Sequence, residues 1–290
     1  MWMNIWTDNV SGGQKMNGSK DLKTIIYFKG VYDTLDLFTD HLIEAFESMG
    51  YGTFVYHTAN EEVSKKMLLR LLDESQEFAV VTFNNLGYNL SFEQSEAAED
   101  EEKKPEEHNI WNYFHIPYID ILMDHPFHYE KPLCNMPETA VILCTDRNHE
   151  KYIRRFFKNI HQTDFLPHAG VELGHKHKPL NDRNIDVLYA GALPIYTVAK
   201  MIPDLHSIPE VDGEHMMQSV LGELVQHPEQ TTEQVIEAYV KSVRGDISDE
   251  RLQEIIVKMR FLDSYATSFF REQAVRILVE SGIHVTAYGV

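Results

Sequence analysis

At 290 residues, 43% of them hydrophobic, the chain is long enough for one large domain or two smaller ones with a sizeable buried core. Its 26 basic residues against 45 acidic ones give a net charge of −19, which repels phosphate backbones and anionic lipid and so argues against general nucleic-acid binding. Two cysteines, Cys134 and Cys144, exclude a disulfide scaffold. No apolar run approaches the ~20 residues that span a bilayer. The first residues lack the basic and apolar regions of a secretion signal, so a soluble cytoplasmic protein is expected.

Residues 1–20 are rich in Gly, Asn, Ser and Lys without a sustained period and read as a flexible tail. A regular alternation follows. The β-branched and aromatic run 24–29 predicts a buried parallel strand. Gly30 punctuates it, and a helix from Asp33 to a stop at Gly50 carries Leu37, Leu42, Ile43, Ala45, Phe46 and Met49 at helical spacing. A second strand is expected at 53–57. Asn60 is then the expected cap of a helix to about Leu72, with Val63, Met67, Leu68 and Leu71 on its apolar face. FAVVTF, 78–83, is a third strand. Strand–helix alternation with short links implies right-handed crossovers in a parallel sheet with helices on both faces.

Residues 93–107 contain eight acids and two lysines and interrupt the pattern as a solvated loop. A short helix or plug at 111–116, a strand at 118–123, a strand at 139–144, a helix capped by Asp146 and a short strand at 164–169 then complete a Rossmann-like doubly wound unit over 21–175. The polar stretch 174–184, holding His175 and His177, reads as a linker. Residues 185–290 form a mainly helical segment with two strands, 185–193 and 284–289. Its helices are expected at 214–225, at 233–243 behind a Thr231–Gln234 capping box, and at 248–281 as one long helix or two end to end. The aromatic and methionine stripe of that last run is expected to pack in the core.

In a doubly wound sheet ligands bind beyond the carboxyl ends of the strands. No G-x-G-x-x-G run, P-loop or G-x-S-x-G elbow occurs there. The strongest local signal is Asp124-His125-Pro126-Phe127-His128. A histidine beside a carboxylate at a strand end suits a general base acting on a hydroxyl, with Asp124 orienting His125. The bland alternative is a turn stopped by Pro126. Asn84, Asn85 and Tyr88 are candidates for polyol hydrogen bonds, and Tyr32, Tyr88 and Phe127 for stacking on a sugar ring. His128 and His168, with Gly30, complete the candidate substrate-binding set. A zinc hydrolase would draw on His115, His125, His128 and His168, although H-E-x-x-H and cysteine pairs are missing. A third class is a non-catalytic scaffold that docks a partner through the long C-terminal helix.

The order IIYFKG, FAVVTFNN, IDILMDHPFHY, TAVILCTD, DFLPHAG, IDVLYAGAL and REQAVRILVESGIHVTAYG resembles bacterial GT-B glycosyltransferases, in particular the spore-maturation-type and related cytoplasmic branch. The likeness covers about 21–200 and 270–290. It implies an acceptor-type N-terminal domain and sugar transfer from a nucleotide sugar to a carbohydrate or protein acceptor. No metal or other cofactor is implied, the nucleotide sugar being a substrate. By position it places Gly30 and Tyr32 on the cleft, His125 and Asp124 as the catalytic pair, and Gly191 in a donor-binding turn. The family's later C-terminal strands are expected after Gly289, so the likeness also implies a fragment whose donor-binding half is largely absent.

Overall fold

A computed structural model describes residues 23–73, 77–94, 106–170, 178–191 and 205–289. The expected tail, the centre of the acidic stretch, His175 and His177, and the last two residues of the 185–193 run lie outside them. The molecule is α/β. A six-stranded parallel sheet is built from β1 (Lys23–Lys29), β2 (Gly52–His57), β3 (Glu77–Phe83), β6 (Tyr118–Leu122), β7 (Ala140–Cys144) and β8 (Gln162–Phe165), in the order β2-β1-β3-β6-β7-β8. Counting only its own strands, the order is 2-1-3-4-5-6. The chain thus reverses direction after its second strand, which defines a doubly wound sheet. Register follows the apolar runs: Ile25 lies opposite Thr53 and Ala79, and Ile142 opposite Ile in neither neighbour but Asp120 and Thr163.

The chain divides into two compact units at Val81–Thr82, inside β3. In the first, β1 is buried along its middle because both of its edges pair and both of its faces are apolar. α1 (Asp33–Ser48) opens with Asp33 and Asp36 and ends at Gly50, whose φ of +91° is the left-handed geometry expected of a stop. α2 (Glu61–Leu72) departs from expectation in two ways. Asn60 precedes it but makes no side-chain cap. Its buried side chains are Ser64, Leu68 and Leu72, while Val63 and Met67 are exposed. The buried stripe is set by Ser64, whose hydroxyl bonds both the N–H and the C=O of His57 at 3.1 Å.

In the second unit, β4 (Ser91–Gln94) pairs antiparallel with β5 (Glu106–Asn109), so the two ends of the acidic stretch are ordered as a ladder rather than as loop. The Asn109 side chain caps α3 (Ile110–Tyr113) and buries Trp111, whose indole N–H donates to the Gly87 carbonyl at 2.7 Å. A short 3-10 turn, Pro126–Tyr129, and α4 (Glu130–Cys134) follow β6. α5 (Arg147–Phe156) follows β7 and is capped by Asp146 as expected. The strand expected at 164–169 lies two residues earlier, at Gln162–Phe165, and Pro167 falls beyond its end.

The remaining helices are α6 (Gly213–Gln226), α7 (Thr232–Arg244), α8 (Asp249–Met259) and α9 (Phe261–Glu280). The 248–281 run is therefore two helices joined at Arg260. Their common core holds Met216, Val220, Ile236, Val240, Leu252, Ile255 and Leu262, each 0% exposed. Removing such side chains from water contributes roughly 1.5–3 kcal/mol apiece. Packing ends midway along α9: Ala266 is buried, but Phe269 and Ile277 are 39% and 58% exposed, so the stripe expected to pack throughout does so only in its first half. Arg155 of α5 binds Glu237 of α7 through both carboxylate oxygens (2.7 and 3.0 Å) and Asp249 of α8 at 2.7 Å, which holds these helices against the sheet layer. β9 (Val187–Ala190) and β10 (Val285–Tyr288) form a separate parallel pair. No helix among the described residues is long and apolar enough to cross a membrane.

Candidate functional site

The turn after β6 is where the fold concentrates polar side chains. Pro126 fixes its backbone, and the His125 Nδ1 accepts the Phe127 N–H at 3.2 Å. With that lone pair used, the neutral ring carries its proton on Nε2. The ring stacks on Phe127 at 3.6 Å between centroids and meets His149 and Tyr152 edge-on at 4.5 and 5.0 Å. Its Nε2 faces Glu233 Oε2 at 3.3 Å, with only 11% and 12% of the two side chains exposed.

Glu233 comes from the first turn of α7, where an acid suits the positive end of the helix. Burial pushes its carboxyl upward, but the His125 imidazole, assisted by Thr231 and its own backbone, outweighs that and leaves it below the usual range. His149 lies in the first turn of α5. Burial, reinforced by the adjacent His125 ring, lowers it to about 4. It is neutral at physiological pH. Burial, then the charge of Glu233, pushes Tyr152 upward.

These groups border a cavity of about 230 Å³, closed on the helical side by the start of α7 and by Asp263, Ala266 and Phe270 of α9. The His125 Nε2, His149 Nδ1, Tyr152 hydroxyl, Thr231 hydroxyl and Glu233 Oε2 are all buried without a hydrogen-bond partner. Buried polar atoms are almost always satisfied, so a group of five marks a place that takes polar atoms from outside the chain. The cavity walls supply Asp146, Glu233 and Asp263 as carboxylates and no lysine or arginine.

The expected residues fall into separate places. Asp124 does not orient His125. Its Oδ2 accepts from Asn84 Nδ2 at 3.2 Å and from the Tyr129 hydroxyl at 2.7 Å, while Asn84 Oδ1 holds the Met123 N–H at 2.8 Å. Both ring nitrogens of His125 are engaged elsewhere, so no atom remains for Asp124 to orient. Asn85 turns inward: it is 4% exposed and its N–H donates to Asp120 at 2.9 Å. Asn84 and Asn85 have φ of +47° and +65°, the left-handed region asparagine tolerates. His128 is exposed, its ring against Phe127, and His168 is exposed beyond β8.

Gly30 and Tyr32 belong to the first unit. The Gly30 N–H is taken by both oxygens of Asp36 (3.0 and 3.1 Å), and Tyr32, 60% exposed, is the N-cap residue of α1. A carboxylate thus fills the position at which a strand-to-helix turn would otherwise offer its amide to a phosphate. The Gly191 N–H donates to the Tyr288 carbonyl at 2.9 Å and continues the β9–β10 ladder. Among the described residues no three His, Cys, Asp or Glu are gathered to hold a metal ion, so His115, His125, His128 and His168 do not assemble as the zinc alternative requires.

Glu233, His149, Tyr152 and Asp263 were not legible as site residues. Two of them lie in first turns whose caps, Asp146 and Thr231, can be read directly, and that capped start is the only local signal they leave. Comparison with protein-family models, curated proteins and solved structures finds no match.

Proposed function

We propose that the second unit binds a small hydroxylated ligand at the His125–Glu233 pair and removes a proton from it, and that the reaction is sugar transfer from a nucleotide sugar to that hydroxyl. The observation that carries this reading is a buried imidazole–carboxylate pair bordering a cavity of about 230 Å³ with five unsatisfied polar atoms. The size is below the roughly 300–1,000 Å³ of sites for drug-sized ligands and suits a monosaccharide-sized one.

The tautomer reverses the roles expected of the histidine. His125 donates through Nε2 and holds Glu233 ionised, and Glu233 is the proton acceptor. As the acceptor oxygen attacks the anomeric carbon, its proton passes to Glu233. The bond from that carbon to the diphosphate breaks, and the leaving group departs with the electron pair. The acidic walls do not suit a diphosphate, so this pocket belongs to the acceptor side of the reaction. Cytoplasmic residence is part of the same proposal, since Cys134 and Cys144 are both free thiols.

Transfer of labelled hexose from UDP- and GDP-sugars to monosaccharide acceptors tests it. Glu233→Gln lowers the rate by about 10²–10⁴, the usual contribution of a positioned base, and His125→Asn lowers it less. Undiminished transfer by Glu233→Gln overturns the assigned base, and no transfer from any donor overturns the sugar-transfer reading.

A further inference from the structure

The chemistry of the cavity walls goes further than a neutral polyol, and it rests on the reading above that this pocket receives the hydroxylated ligand. Three carboxylates line it, and none is answered by a lysine or arginine in the wall. Asp146 caps α5, Glu233 is in the first turn of α7 and Asp263 is in the first turn of α9. Each helix start offsets about half a charge, so about half of the negative charge of the three acids is left over. Asp263 spends one oxygen on the Thr232 hydroxyl at 2.8 Å, and Asp146 spends one on the Asn148 N–H. His149 is held neutral and adds no compensating cation.

An acidic wall alone is common on a chain of this composition. What distinguishes this one is the buried polar surface behind it. The Tyr152 side chain is 3% exposed, its hydroxyl lacks a partner, and its ring abuts His125 within the field of Glu233. Such a hydroxyl accepts or donates to whatever occupies the site, and the surplus charge decides what that is.

We propose that the ligand of this pocket is a hydroxylated ammonium compound, an amino sugar or amino alcohol, whose hydroxyl lies at Glu233 and whose ammonium is held by Asp263 and Asp146. The ammonium neutralises the leftover charge, and its three N–H donors match acceptor-only carboxylates. An anionic sugar is repelled by the same wall.

Calorimetric titration of the full chain at pH 6.5 with 2-amino-2-deoxyglucose, glucose and glucuronate tests this without any donor or turnover. The amino sugar is expected to bind at least about tenfold more tightly than glucose, a difference of about 1.4 kcal/mol, and glucuronate not to bind. Asp263→Asn removes most of that preference while leaving glucose binding in place. Asp146→Asn, which keeps a competent helix cap, weakens the preference without unfolding the chain, as circular dichroism verifies. Equal affinity for the amino sugar and glucose, tighter binding of glucuronate, no binding of any of the three, or a preference untouched in both variants overturns the proposal. A preference for the neutral sugar does so while leaving Glu233 as the proton acceptor, so the two readings fail separately.

Discussion

Asp120 is the most unusual residue of the sheet. It is 0% exposed in the centre of β6, and one of its oxygens accepts the Asn85 N–H while the other has no partner. Burial, only partly offset by that hydrogen bond, raises its carboxyl to about 7. A carboxyl with a folded-state value above its unfolded one binds protons more tightly when native. Its contribution is therefore complete below about pH 4 and is lost as pH rises through 7. The ceiling is of order 4 kcal/mol. Asp120→Asn keeps the acceptor for Asn85 and removes the charge. Urea denaturation is expected to show the variant more stable than the parent at pH 8 and indistinguishable from it near pH 4. His149 has the opposite sign. Its folded value, about 4, is below the ordinary 6.5, so the native state binds fewer protons and loses stability as pH falls from 6.5 towards 4. The shift corresponds to at most about 3 kcal/mol, reduced by the partial exposure of the ring. His149→Gln is expected to flatten the fall of melting temperature between pH 7 and 5.

Among the elements, the helix starts were the most readable and the buried faces the least. Asp146 caps α5, and Gln234 accepts from the Thr231 N–H at 3.2 Å, because caps are satisfied within four residues of chain. The face of α2 was misplaced by one residue, because apolar count favoured Val63 and Met67 whereas a serine bonded to the backbone of His57 set which side turns inward. The docking of α7 and α8 on α5 is a matter of a few charged contacts. Arg155 is 37% exposed, so its value lies near the upper end for surface pairs, about 1–2 kcal/mol even with two carboxylates bound. Arg155→Met leaves Glu237 with Lys241 as its remaining partner at 2.7 Å. Hydrogen exchange is expected to accelerate in α7 and α8 of this variant while amides of β6 and β7 keep their protection.

At the level of the whole molecule, the alternation of strand and helix made the doubly wound sheet legible, since each strand of the sheet is a short apolar run bounded by a turn. What the alternation did not contain is the assembly of the site. Asp124 and His125 are adjacent in sequence, yet one faces Asn84 and Tyr129 and the other faces Glu233. The carboxylate that matters arrives from a helix far along the chain, and nothing local to either residue records that meeting. The acidic balance of the sequence, −19 overall, does reappear in the cavity wall, where three carboxylates stand without a basic neighbour among the lining residues.

The strands, the capped helix starts, the Gly50 stop and the abundance of acid followed from the order of residues, because each depends on groups within one turn or one strand of each other. Which side of α2 is buried, which nitrogen of His125 carries the proton, and that Glu233 rather than Asp124 faces it depended on packing α7 and α9 over the turn after β6. Contacts between distant segments are fixed by the shape of the whole core, and a local pattern has no means of specifying them.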